Sequence, residues 1–318
     1  MRGVIISSQR ELAQKTGLAR RGNRRVREAI IGFMLFVFAS ISILTTFAVI
    51  VVLARETIGL FLDPAVTLWE FVTSREWTPL FAESQRSFGI SPLLLGTLLV
   101  TTIALVTGLP MGLGAAVFLS EFASPRARRT AVPILEVLAG IPTVVLGYFA
   151  LLFVTPILQQ FVPGLKFFNP LSAGIVMGFM ILPTVSSISI DSMQAVPRSL
   201  REAAYGLGGT KYEVVTRVVI PAALSGIVAS FILAMSRAIG ETMIVTLAAG
   251  QKPNFTFDPR ETIATMTSFI VQAATGDQPA GSIASRSLFA VASTLFVMTL
   301  GLNVLSQIVV RRFAEKYE

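Results

Sequence analysis

The sequence contains no cysteine and no histidine, and only 14% of its 318 residues are charged. The two missing residue types exclude disulfides, thiol nucleophiles, Cys/His zinc sites, histidine-ligated haem and Ser-His-Asp hydrolysis. A typical soluble domain has about 25% charged residues. The low charge, with 53% hydrophobic residues and a mean hydropathy of +0.73, therefore indicates a polytopic membrane protein.

Six apolar windows are long enough to cross a bilayer, which takes about 20 helical residues. They lie at 29–53, 92–120, 132–156, 170–190, 222–249 and 287–310. With the N-terminus in the cytoplasm, the inner segments hold 18 of the 26 Lys and Arg residues, as the positive-inside rule requires. The net charge of +8 thus reflects topology and contact with anionic membrane lipid, and we expect no nucleic-acid partner.

The windows define an all-α integral membrane protein with five parts. We predict a basic cytoplasmic segment at 1–28, a first transmembrane helix at 29–53 that is an uncleaved anchor, and an outer loop at 54–91. A core of five further transmembrane helices follows at 92–310, and a cytoplasmic tail at 311–318. Trp69 and Trp77 in the outer loop fit the membrane–water interface, where aromatic side chains collect.

Two stretches within the spans have a packing interpretation. The glycine-rich run at 108–116 lacks the lysine and the preceding strand of a phosphate loop, so its glycines are expected to let helices approach closely. Ser186, Ser187 and Ser189 are expected to hydrogen-bond between helices, although a water-filled path is the alternative.

The inner segment 191–221 begins with the pattern of a short amphipathic helix. Pro197 disfavours helical backbone at the residue before it, so the helix begins just after it. Four residues at helical spacing predict one side of this helix: Leu200, Ala203, Ala204 and Leu207. Such a helix either lies on the inner leaflet or docks into a soluble partner, and its small side chains favour a close-fitting protein groove.

The residues after this short helix predict its C-terminal end and the beginning of a second helix. Gly208 and Gly209 provide a C-terminal stop. Thr210 with Glu213 three residues later predicts a capping box at the start of a second helix, which runs through Pro221 into the fifth span.

This segment resembles the EAA motif of ABC importer permeases, EAA-x3-G-x9-I-x-L-P. The matching residues are Glu202, Ala203, Ala204, Gly208, Val218, Ile220 and Pro221, with Val for Ile and Ile for Leu as mild departures. In that family the loop is a coupling helix that sits in a cleft of the cytoplasmic ATPase. The resemblance implies a MetI-like permease core and an ATPase-coupling role for Glu202, Ala203, Ala204, Gly208 and Pro221.

Three further stretches resemble the permeases of phosphate importers, more the PstC type than the PstA type. They are residues 96–129, residues 135–151 and the run RAIGETMIVT at 237–246. The resemblance covers most of 88–310, and residues 1–28 and 54–87 are covered less well.

The run at 233–250 places Arg237 and Glu241 inside an apolar window, where a charge costs about 2.5–3.5 kcal/mol on insertion scales. As residues i and i+4 of a helix they share one face. One interpretation is an internal ion pair that helps helix packing. The other is a substrate path in which Arg237 holds phosphate oxygens and Glu241 keeps it oriented. Ser236 and Thr242 are candidate hydroxyl donors, and the family resemblance favours the path.

The resemblance also implies the partners and the class of activity. We expect a plasma-membrane transport subunit and not an enzyme, and the chain has no ATP site of its own because it has no Walker A pattern. ATP and Mg belong to a PstB-type ATPase dimer, and this chain binds no cofactor or metal. A PstA-type second permease and an extracytoplasmic PstS-type phosphate-binding protein complete the importer. The alternatives are an importer of another oxyanion (sulfate, molybdate or tungstate), a membrane-embedded enzyme, or a scaffold that only holds a partner.

Overall fold

The computed structural model describes residues 2–279 and 281–313, and the side chains of 27–279 and 281–308. Within these ranges the regular structure is helical, apart from one isolated antiparallel bridge between Trp77 and Phe88. The chain divides into two compact units, residues up to Arg55 and residues from Glu56 onward. The all-α class is confirmed.

The helices are numbered in chain order. They are α1 Arg2–Phe61, α2 Leu68–Thr73, α3 Ser91–Phe122, α4 Pro125–Ala139, α5 Thr143–Phe161, α6 Pro170–Gln194, α7 Arg198–Gly206, α8 Lys211–Ala222, α9 Leu224–Ile239, α10 Met266–Thr275 and α11 Ile283–Phe313. The backbone of residues 2–28 continues into the first apolar helix, so the predicted basic segment is part of α1. Residues 314–318 of the predicted tail lie outside the described residues.

Five of these helices are long and apolar enough to cross a membrane: Arg27–Phe61 of α1, α3, α5, α6 and Ile283–Ile308 of α11. The pair α8 and α9 passes the same test together but bends by 67° at Ala223, so it makes a sixth span if it is counted as one. The six-helix membrane architecture is confirmed in this form.

The third predicted window, 132–156, begins too early. The structure separates it at Gly140, where α4 ends, and the membrane helix α5 starts after Pro142. Ser124 caps the first turn of α4 by accepting a hydrogen bond from the backbone N–H of Ala127 (3.2 Å). Residues 132–139 therefore belong to an amphipathic helix that precedes the span.

The most extensive helix contact joins α3 to α6, and glycines make it close. A Cβ atom at Gly178 would overlap the Thr107 side chain, and one at Gly108 would lie 2.7 Å from the Gly178 carbonyl oxygen. Gly112 and Gly174 meet the facing helix in the same way. Small residues let membrane helices gain dispersion contacts at short range. The packing interpretation of the 108–116 run is confirmed for Gly108 and Gly112, whereas Gly114 meets no neighbouring atom.

The outer loop folds around a buried tryptophan. Trp77 is 3% exposed and makes edge-on ring contacts with Phe71, Phe88 and Phe269 of α10. Trp69 is 75% exposed. The predicted interfacial position is therefore wrong for Trp77, because ring packing within unit two removes it from the surface.

The α3–α6 contact predicts a strong position effect for alanine substitutions. Gly178→Ala forces Thr107 to move and is expected to destabilise the chain by about 1–3 kcal/mol, the usual range for overpacking. Gly114→Ala is the control, because no atom lies within 4 Å of its added Cβ. The apparent melting temperature of the detergent-purified chain measures the effect, and equal values for the two variants would contradict it.

Candidate functional site

The predicted charged pair lies at a helix break rather than on one helical face. Helix α9 ends at Ile239, with Gly240 as its C-cap, and the chain resumes as a short helical turn at Val245–Ala249. Arg237 is in the last turn of α9, whereas Glu241 follows the helix. The expectation of a shared i, i+4 face is therefore wrong, because glycine ends the helix between the two charges.

Arg237 is exposed in the single chain, while its neighbours Ala238 and Ile239 are buried. Its Nη1 atom donates to Thr184 Oγ1 of α6 at 3.2 Å. Across the described residues, no ion pair joins Arg237 to a carboxylate. Exposure of an arginine to hydrocarbon is costly, so this face of α9 must meet water or another subunit.

Glu241 serves the backbone. Its Oε1 atom accepts hydrogen bonds from the N–H groups of Met243 (3.0 Å) and Ile244 (3.3 Å), which begin the turn after the break. Its carbonyl oxygen accepts from Thr267 Oγ1 (2.8 Å). The idea that Glu241 orients Arg237 thus gives way to a capping role, which satisfies N–H groups that have no helical partner.

The two predicted hydroxyl donors, Ser236 and Thr242, form hydrogen bonds with groups other than Arg237. Ser236 Oγ donates to Asn303 Oδ1 of α11 (3.3 Å), and Thr242 Oγ1 donates to the carbonyl of Gly240 (3.3 Å). The structure therefore does not join the four predicted residues in one cluster. Sequence reasoning missed Thr184, although it opens the polar run TVSSISID.

A cavity of about 790 Å³, the inner cavity, lies between α4 and the second half of α6. Its polar lining comprises Ser120, Arg128, Arg129, Glu136, Thr184, Ser187 and Asp191. Three of these residues follow one another along one face of α6. Thr184 also accepts the Arg237 hydrogen bond, so the arginine contacts a residue of the cavity lining without belonging to that lining.

The serines of α6 divide between packing and the cavity. Ser186 donates to the Gly112 carbonyl (2.9 Å), and Ser189 shares a hydrogen bond with Ser230 (3.1 Å). Both are buried between helices, as expected. Ser187 is exposed and lines the inner cavity.

A second cavity of about 1060 Å³, the outer cavity, lies between the loop before α3 and the loop after α9. Arg75 and Lys252 contribute positive charge to its lining and Glu76 contributes negative charge, and Arg75 lies 4.9 Å from the ring centroid of Phe255. Thr246 also lines it and donates to the Thr242 carbonyl (2.6 Å). The segment that contains the α9 break thus lines the outer cavity at Thr246, and it bonds through Arg237 to a residue that lines the inner cavity.

The predicted short helix is present as α7, Arg198–Gly206, and its two sides differ. Leu200 and Ala204 pack inward onto the hydrophobic cluster under the helix. Ala203 is exposed and Leu207 is 91% exposed. The predicted apolar side is therefore split, and the outward surface includes Glu202 beside small residues.

The stop and restart after α7 are built as the sequence predicts. Gly208 has φ +86°, a conformation that a side chain disfavours, and the N–H of Gly209 reaches back to the Ala204 carbonyl (3.1 Å). Thr210 and Glu213 form the capping box. Pro221 lies in α8 beside the bend, away from α7.

Comparison with known proteins defines the class. Residues 108–318 match the family model of the binding-protein-dependent transport system inner membrane component. A bacterial ABC transporter that imports the acidic polysaccharide alginate has a similar fold, with a TM-score of 0.59 at 17% identity over 88% of this chain and 96% of that one. The methionine transporter MetNI matches with a TM-score of 0.55 at 17% identity, over 69% and 94%. These likenesses show the MetI-like permease fold.

Curated relatives match over most of the chain. The probable ABC transporter permease YqgH of Bacillus subtilis is 32% identical over 89% of this chain and 90% of its own length. The phosphate transport system permease PstC of Mesorhizobium japonicum is 34% identical over 79% and 82%, and that of Haemophilus influenzae 32% over 77% and 82%. The chain belongs to the binding-protein-dependent transport family of inner membrane components. It is a multi-pass permease subunit of an ABC importer and not an enzyme, and such permeases work with an ATPase and a substrate-binding protein.

The capping role of Glu241 makes a specific stability prediction. Glu241→Gln keeps an oxygen that accepts from Met243 and Ile244, so stability is retained. Glu241→Ala leaves these N–H groups unpaired and costs about 0.5–2 kcal/mol, the range for a lost helix cap. Melting of the purified chain in detergent gives the values, with Glu76→Ala on the exposed outer loop as the control. Equal destabilisation by Gln and Ala would show that the charge matters, not the cap.

Proposed function

We propose that this chain is the PstC-type permease of an ATP-driven phosphate importer. The observation that carries the proposal is Arg237, an arginine whose neutral hydroxyl partner, Thr184, lines the inner cavity. Arginine stays protonated at any physiological pH and can hold two phosphate oxygens at once. Relatives that are named as PstC permeases and the RAIGETMIVT run support phosphate as the substrate.

The proposed orientation places both termini and α7 in the cytoplasm. It rests on the uneven distribution of Lys and Arg among the loops. In this orientation the inner cavity opens towards the cytoplasm, and the outer cavity faces the binding protein. Arg75 and Lys252 then add positive charge at the entrance.

The proposed mechanism is alternating access with a PstA-type permease as partner. ATP and Mg bind to a PstB-type ATPase dimer, which receives α7 in a cleft. Closure of the dimer displaces α7, and the permease pair opens outward to accept phosphate from a PstS-type protein. Phosphate then passes Arg237 and leaves through the inner cavity. The exposed surface of Glu202, Ala203 and Leu207 and the stop at Gly208 support docking of α7.

The alternative within the class is an importer of sulfate, molybdate or tungstate. An arginine at a helix break can serve any of these oxyanions. The run GETM and the PstC relatives favour phosphate.

Substitution of Arg237 tests the anion path. In cells that carry the complete transporter, Arg237→Gln is expected to lower radiolabelled phosphate uptake by roughly tenfold or more, since a charged hydrogen bond contributes about 1.5–3 kcal/mol. Arg55→Gln, the same change at an exposed residue, is the control and keeps uptake. Membrane level and ATPase assembly are measured in parallel.

Two outcomes would contradict this proposal. Normal uptake by Arg237→Gln would mean that Arg237 only packs against Thr184. Uptake of labelled sulfate or molybdate by the unchanged transporter, with no uptake of labelled phosphate, would keep the importer and change its substrate.

Gly208 tests docking of α7. Gly208→Val is strained at φ +86°, by about 1–2 kcal/mol, and displaces the end of α7. We expect the ATPase to be lost from the purified complex. Gly281→Val is matched in strain, with φ +78° and open space around it, but lies in an outer loop. It should retain the ATPase, and loss from both variants would point to general unfolding.

A further inference from the structure

An ion pair under α7 is not explained by docking. Arg201 follows Leu200 on the inward side of the helix, and its Nη1 atom contacts Glu121 Oε1 at 2.9 Å and Oε2 at 2.7 Å. The Glu121 side chain is only 8% exposed, and that of Arg201 is 22% exposed. Ser120 Oγ also donates to Glu121 Oε1 (2.9 Å). The pair is therefore an ordered contact between residues far apart in the sequence.

Arg201 reaches a second helix through its other nitrogen. Nη2 donates to the carbonyl of Met193 in the last turn of α6. Glu121 lies in the π-helical turn that ends α3. One guanidinium thus ties the short helix α7 to the ends of both α3 and α6, which the close glycine contacts join along their lengths.

The remaining attachment of α7 is small. Leu200 and Ala204 contribute its contacts to the underlying cluster, and the helix has nine residues. Isolated helices of this length are marginal in water. A push on the exposed side of α7 therefore reaches the membrane helices mainly through the Arg201 contacts and the chain at its two ends.

We infer that Arg201 is a positioning residue for energy coupling, which acts through Glu121 and Met193. It makes α7 move as one body with α3 and α6, and α6 carries Thr184, the partner of Arg237. The inference rests on the proposed function, in which α7 receives the motion of the ATPase. Without the Arg201 contacts, α7 moves with the ATPase but α6 does not follow it fully. Less phosphate is then transported for each ATP hydrolysed.

The test uses the complete transporter with its binding protein in proteoliposomes. Phosphate uptake and ATP hydrolysis are measured together for the unchanged chain, Arg201→Gln, Glu121→Gln and Arg201→Lys. We expect phosphate moved per ATP to fall by roughly fivefold or more in both Gln variants, the range of ordinary coupling energies. Arg201→Lys keeps the positive charge but loses the guanidinium group that reaches two partners at once. Its ratio of phosphate moved to ATP hydrolysed should therefore lie between those of the unchanged chain and Arg201→Gln. Arg126→Gln, at an exposed residue of α4, is the control.

A merely structural role would lower uptake and hydrolysis in the same proportion, and an unchanged ratio in both Gln variants overturns the inference. Absence of phosphate-coupled ATP hydrolysis in the unchanged complex overturns the proposed function as well, which separates the two failures.

A second measurement does not depend on transport. Hydrogen exchange of the α7 amides in the permease alone, in nanodiscs, should be faster in Arg201→Gln and Glu121→Gln than in Arg126→Gln. Equal protection in all three would show that the pair does not hold α7, and would also overturn the inference.

Discussion

In the hydrocarbon of a bilayer every peptide N–H and C=O needs a partner within the protein, and this chain interrupts an apolar helix at Gly240. Helix α9 has 16 residues and covers about 24 Å, short of a hydrocarbon layer of about 30 Å. Beyond Gly240 the backbone groups that lack a helical partner form hydrogen bonds nearby. The Glu241 carboxylate accepts from the Met243 N–H, and the Thr267 hydroxyl donates to the Glu241 carbonyl. The break is therefore stable, and it leaves Arg237 at a helix end beside a cavity.

The break requires a rigid frame, which α3 and α6 supply. Their glycines bring the two backbones so close that Gly108 faces the carbonyl of Gly178. Further along the pair, Ser186 donates to the Gly112 carbonyl. A frame packed in this way moves as a unit rather than bending, since dense interiors shift between discrete arrangements. A displacement at its inner end thus changes the position of Thr184.

The sequence predicts best where signals are local. Pro197, Gly208 and the Thr210–Glu213 capping box define α7 and the start of α8 within a few residues, because each acts on its own backbone. The end of α9 was not predicted, since 222–249 is apolar on both sides of Gly240 and hydropathy does not register a break. The burial of Trp77 is not predictable from its own segment, because one of its ring partners, Phe269, comes from the distant helix α10.

The partners of the arginines depend on tertiary structure, so sequence spacing misassigned them. Glu241 is four residues from Arg237, yet it bonds to backbone, and Arg237 bonds to a threonine on another helix. Arg201 and Glu121 are 80 residues apart and form a close pair. Sequence patterns identified the chemistry of these side chains but not which of them meet.

The two arginines differ in a way that suits different tasks. Arg201 has a nearly buried carboxylate as partner, which neutralises its positive charge locally. Its main effect is therefore a directional hydrogen-bonded contact between helices. Arg237 has only a hydroxyl, so its positive charge stays available. A permanent carboxylate beside Arg237 would repel an anion and cancel its field. An arginine without such a partner is costly in a membrane, and in the proposed transport path an oxyanion beside Arg237 would offset that cost.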